Sequence, residues 1–148
     1  MSPAVSYKTS IAVAFIWSGA VFAISFLEAW LKFRAPGVTL PIGLGIGRIV
    51  FAALNKIEWL FCIAIIACLI FQGTLTLTAN TLILIIIASL LLLQTFWLLP
   101  QLDARAELHI SGQDTAPSSL HLLFIIAEAL KIILLVSFGL AQFEKFKI

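Results

Sequence analysis

Seven side chains capable of chemistry lie inside otherwise apolar stretches of this chain: Glu28, Arg48, Asn55, Glu58, His121, Glu128 and Lys131. Carboxylates, a guanidinium, an ammonium and an imidazole in such surroundings suit ion pairing, proton exchange or the capture of a charged ligand. Their spacing groups them. Arg48 and Asn55 are seven residues apart, about 700° of α-helix, and so share a face. His121 and Glu128 repeat that spacing, Lys131 lies one turn beyond Glu128, and Glu28 and Lys32 form an i, i+4 pair. An ionisable group at the centre of a bilayer costs several kcal/mol unless it pairs or faces water. Lysine can extend its head to the interface, whereas glutamate at the depth of Glu58 and Glu128 cannot. The pattern predicts a polar, ion-paired chamber near one end of a helical bundle, with these seven residues as its ligand-binding set. Buried pairs that only fix helix register are the alternative reading.

Other chemistries are excluded or weakly supported. Cys62 and Cys68 are six residues apart in one apolar segment, on different helix faces, and read as small core hydrophobes. With two histidines in all and no thiolate cluster, neither a metal site nor a bis-histidine haem is expected. There is no phosphate-binding glycine loop, nucleophile elbow or HExxH. The net charge of +2, with no basic run, gives no reason to expect a nucleic acid.

The elements that must position these residues are set by composition. The 148 residues are 62% hydrophobic, with a mean hydropathy of +1.16, whereas a soluble domain is about half apolar. The apolar runs predict four transmembrane helices: Ser10 to Phe33, Gly43 to Gln72, Asn80 to Leu99 and Ser118 to Phe143. Each exceeds the ~20 residues that a bilayer crossing needs, and helices are the open-ended way to satisfy the backbone in lipid. The expected fold is all-α, one integral membrane domain. The first run continues ten residues past Ser18-Gly19-Ala20, so it reads as a retained span rather than a cleaved signal. Pro100 is expected to end the third helix, which leaves Arg105 and a solvated His109 in a polar loop. Trp30 and Trp97 suit interfacial anchors, and the deeper Trp17 and Trp59 suit packing.

Four spans put the termini and the GTLTLT turn at one face. Lys32, Arg34, Arg48, Lys56 and Arg105 then lie at the face of the other two links, against Lys8, Lys145 and Lys147 at the termini. That balance predicts links 1–2 and 3–4 in the cytoplasm, and the expected location is a bacterial inner membrane.

Two resemblances add expectations. Trp17, Gly19 and Phe22 in W-x-G-x-x-F, Pro41 in the hinge, Gly47, Arg48 and Phe51 in G-R-x-x-F, Leu98 and Pro100 in L-x-P, and His121 opening the last helix resemble small four-helix proteins related to transmembrane protein 205. That likeness implies a fold and a membrane location. Separately, Arg48, Ala52, Asn55 and Glu58 in R-x-x-x-A-x-x-N-x-x-E are similar to the second-helix motif of the membrane-associated eicosanoid and glutathione metabolism superfamily. The second likeness implies trimers with glutathione held by Arg48, Asn55 and Glu58 at a subunit interface, and Arg105 as thiol activator. The third helix departs from that family in lacking its tyrosines and arginines, and Tyr7 is the chain's one tyrosine.

Three readings therefore stand. The chain binds or helps to move a small ligand or ion, or it is an accessory subunit of a larger membrane complex, or it is a glutathione-dependent enzyme acting on lipophiles. The first needs no cofactor, the third needs glutathione, and no catalytic residue is assigned outside the third. All three place the chain in the lipid bilayer, as a homo-oligomer or as a subunit of a complex.

Overall fold

The computed structural model describes residues 2–74, 76–113 and 116–146. Four long helices, α1 (Pro3–Arg34), α2 (Leu40–Gln72), α3 (Ala79–Ile110) and α4 (Leu120–Phe146), form an antiparallel bundle, with no strand among the described residues. All four are long and apolar enough to cross a membrane. At 1.5 Å per residue, the 33 residues of α2 reach about 50 Å, so the helices overrun a hydrocarbon core of ~30 Å.

Helix starts differ from the expected ones, and a serine hydroxyl accepts a first-turn N–H at the first and fourth helices. α1 begins at Pro3, not Ser10: Ser2 Oγ accepts the Val5 N–H at 3.4 Å, and Pro3 occupies a first-turn position that needs no donor. α2 begins at Leu40, not Gly43, with Pro41 in its first turn. Ser118 precedes α4 and its Oγ accepts the Leu120 N–H at 3.2 Å. At the other end α4 runs past Phe143 to Phe146.

The largest correction concerns α3, which continues through Pro100 to Ile110. A proline inside a helix lacks its N–H, and its ring meets the carbonyl four residues back, here Phe96. That carbonyl lies in a widened π-type turn, Gln94–Leu98, which offsets the ladder just before the proline. The residues beyond Pro100 are polar but helical, as suits a helix that has left the hydrocarbon. Arg105 and His109 therefore sit on α3. A second π-type turn, Phe22–Glu28, lies in the loop-side part of α1.

The core is tightest in the half nearer the termini. Ala14, Trp17 and Val21 of α1, Cys62, Ile65 and Leu69 of α2, Leu84, Ile87 and Leu91 of α3, and Leu135 and Phe138 of α4 form one closed cluster. Since lipid tails are as apolar as leucine, its cohesion comes from dispersion and fit rather than from escape from water. Cys62 and Cys68 are buried free thiols, and Trp30 and Trp97 are exposed near the loop side.

At the loop end, the last turn of α1 lies across α2. An added Cβ at Gly43 would stand 2.1 Å from the Phe33 ring, and one at Gly47 would stand 3.0 Å from Lys32 Nζ. Gly43 and Gly47 share a face one turn apart, and the missing side chains leave the groove into which Phe33 and Lys32 settle.

Candidate functional site

The expected single chamber is two sites, stacked one helical turn apart. The upper one is a vestibule of about 770 Å³ at the loop end, walled by all four helices. Of the seven predicted residues, Arg48, Asn55 and His121 line it. Most of its wall is apolar, with the rings of Phe33, Phe51 and Phe124 among the contributors. Lys32, Arg48, Lys56 and Arg105 line it together with Asp103, His109 and His121, and two of these cations are already paired, Lys32 with Glu28 and Arg48 with Asp103 and Glu107. A smaller cavity lined by Gly45, Arg48, Ile49, Ala52 and Asp103 indents the flank between α2 and α3, where Ile49 is 74% exposed.

Arg48 does not reach the intramembrane carboxylates. Its Nε and Nη2 donate to Asp103 Oδ1 and Oδ2 at 2.6 and 3.1 Å, and Nη1 donates to Glu107. Asp103 and Glu107 are one turn apart on α3, so the fork ties α2 to the loop-side extension of α3. Both acids follow Pro100 and were expected in a loop, which is why the sequence reading missed them. Arg105 donates to the Ala116 carbonyl, holding the later part of link 3–4 against α3. Glu28 accepts from Lys32 Nζ at 3.3 Å, as the i, i+4 spacing predicts. The same ammonium lies 5.3 Å from the Phe51 ring centre and 5.6 Å from that of Phe33.

The vestibule floor is a hydrogen-bonded hub on Thr95. Its Oγ1 accepts from Asn55 Nδ2 and from Trp59 Nε1, each at 3.0 Å, and donates to the Leu91 carbonyl at 2.7 Å. Thr95 belongs to the π-type turn of α3, and nothing in the sequence marks it.

One turn deeper is a closed cluster of Glu58, Glu128 and Lys131, which are 2%, 0% and 0% exposed. Lys131 Nζ contacts Glu58 Oε1 at 2.5 Å, Gln94 Oε1 at 2.6 Å and Glu128 Oε1 at 2.9 Å. An ammonium has three protons, so these acceptors saturate it. Gln94 Nε2 donates to Glu128 Oε1 at 2.5 Å and Ser25 Oγ to Glu128 Oε2 at 3.0 Å. From α1 the Trp17 indole N–H donates to Glu58 Oε1 at 2.9 Å. Trp17 therefore does more than pack, which corrects the expectation for it. The two Oε1 atoms share one Nζ at 2.5 and 2.9 Å, so they are no more than the sum, 5.4 Å, apart. Two full negative charges at that distance repel by about 3 kcal/mol at an effective dielectric of about 20.

Register placed Lys131 beside Glu128, and the depth of Glu58 called for a partner, which Lys131 supplies. Ser25 and Gln94 lie in the two π-type turns and both donate to Glu128, a pairing that a uniform helical pitch gives no reason to expect. Below the cluster, Ile65, Ile87, Leu135 and Phe138 fill the core at 0% exposure. Uncharged polar residues reappear near the termini end, where Ser6, Asn80 and Gln142 are buried.

Among the described residues no group of three His, Cys, Asp or Glu side chains could hold a metal ion. Comparison of the chain with family models, curated proteins and solved structures returned no match.

Proposed function

We propose that this membrane protein binds a small amphiphilic anion in the loop-face vestibule: an apolar body against the aromatic wall, and a carboxylate or phosphate head among Lys32, Lys56 and Arg105. The observation that carries this reading is the 770 Å³ cavity itself, with Lys56 and Arg105 in a largely apolar lining beside the ion-paired Lys32 and Arg48. Ligand sites are mostly apolar concavities of roughly 300–1,000 Å³ with a few polar groups that fix orientation. The flank indentation beside Gly45 and Ile49 gives a bilayer-borne ligand a way in at the level of Arg48.

Binding at one face suits the fold better than passage across it, because the dry core beneath Glu58 and Glu128 closes the bundle. With Lys32, Arg34, Lys56 and Arg105 at the vestibule end, the positive-inside bias favours a cytoplasmic opening in a bacterial inner membrane. Glutathione held jointly by Arg48, Asn55 and Glu58 fits less well. Arg48 and Asn55 line the vestibule, but Glu58 turns into the closed cluster.

The reading is tested by thermal unfolding in nanodiscs of a zwitterionic lipid, with a long-chain alkyl carboxylate, the matching alcohol and a short-chain acid as probes. Saturable stabilisation by the long carboxylate alone is expected, reaching about 2.7 kcal/mol at a hundredfold excess over Kd. The Lys56→Gln/Arg105→Gln double variant should weaken it at least tenfold. Equal stabilisation by the alcohol would show that no anion site exists.

A further inference from the structure

The closed cluster carries a charge imbalance that does not depend on what the vestibule binds. Among the described residues Lys131 is its one permanent cation, and its three protons are all engaged. The other donors to the two carboxylates, Trp17, Ser25 and Gln94, are neutral.

Among the described residues, no helix sets a second positive charge against the two carboxyls. On α1 the nearest charges are Glu28 and Lys32, which pair with each other towards the loop end. On α2, Asn55 lies one turn above Glu58 and the Cys62 thiol one turn below, while Lys56 is exposed at the vestibule. α3 contributes Gln94 and Thr95, both uncharged. On α4, His121 is two turns from Glu128, exposed at the vestibule mouth. With both carboxyls ionised, the enclosed site would hold two negative charges and one positive. Surplus charge in a water-excluded interior is strongly unfavourable, and a proton is the smallest species that cancels it.

We propose that the Glu58–Lys131–Glu128 cluster is a proton-binding site, holding one exchangeable proton that belongs to its two carboxyls jointly. Two carboxyls this close titrate as a pair, so the proton is assigned to the cluster and not to one residue. Loading is the addition of H⁺ from vestibule water to a carboxylate oxygen, and unloading is its return to water; no other bond changes. Access is from the loop side. The polar hub of Asn55 and Thr95 is one turn away in that direction, and the apolar core of Ile65, Ile87, Leu135 and Phe138 fills the other. At neutral pH the folded chain then binds one proton more than the unfolded chain, so its stability falls as pH rises through the release of that proton.

The test is infrared difference spectroscopy of the full chain in nanodiscs, stepped in pH in H₂O and in D₂O. The wild type should show one protonated-carboxyl C=O band at neutral pH that shifts in D₂O and disappears at alkaline pH. Glu58→Gln and Glu128→Gln each leave one carboxylate opposite Lys131, so both variants should lose the band and also the alkaline fall in thermal midpoint. Glu28→Gln should keep both. A folded wild type without the band overturns the proposal, and so does a band that survives in either cluster variant. Because none of these readouts uses an amphiphile, the result stands apart from the vestibule's ligand.

Discussion

Two clusters in this protein have the same membership, two carboxylates and one permanent cation, and opposite surroundings. Arg48 with Asp103 and Glu107 sits at the loop-end rim, with both acids more than half exposed. Lys131 with Glu58 and Glu128 is sealed one turn below the Asn55–Thr95 floor. At the rim, water and salt screen the surplus negative charge, so the trio acts as a strap between α2 and α3. In the interior the same count leaves an uncompensated charge, and the trio must hold a proton or break apart. Stoichiometry alone therefore predicts nothing; the dielectric around it decides.

The contrast breaks most decisively at Lys131. Replacing Lys131 with Met leaves two buried carboxyls without their cation, and the expected loss is about 3–5 kcal/mol of unfolding free energy at neutral pH. Denaturant unfolding in mixed micelles measures it, and wild-type stability in that variant would mean the cluster is not held by charge. An intermediate effect is expected at the floor between the clusters. Thr95→Val removes the acceptor shared by Asn55 and Trp59, which should cost about 1–3 kcal/mol. The Trp59 emission should shift with it, while an unchanged spectrum would place the indole N–H elsewhere. The smallest effect belongs to the rim: Arg48→Met should scarcely move the midpoint, and whatever it does move should vanish in high salt. A loss as large as that of Lys131→Met would erase the distinction between the two trios.

Much of this architecture was legible because lipid imposes simple rules. Apolar runs of sufficient length had to be helices, and glutamates at the depth of Glu58 and Glu128 had to find partners. Helical register was enough to set Lys131 beside Glu128 and Arg48 on the face of Asn55. What escaped depends on departures from uniform pitch. Ser25 and Thr95 reach their partners from π-type turns that neither composition nor spacing announces. The helix beyond Pro100 escaped because polar composition reads as loop, although outside the hydrocarbon a polar segment is free to stay helical. Asp103 and Glu107 went unseen with it, and Arg48 was accordingly assigned to the interior. The seven residues do not share one site: Arg48, Asn55 and His121 line the vestibule, Glu58, Glu128 and Lys131 form the closed cluster, and Glu28 pairs with Lys32.

The dry core below the cluster has an electrical consequence. A transmembrane potential falls across the part of a membrane protein that conducts least, and here that is the layer of Ile65, Ile87, Leu135 and Phe138, not the vestibule. A charge carried through the full field exchanges about 2.3 kcal/mol per 100 mV with it. A proton that enters from the vestibule and stops at Lys131 crosses little of that drop. Its occupancy therefore follows the pH of the loop-side compartment and is nearly blind to voltage, so an energised membrane would reach this site through its pH gradient.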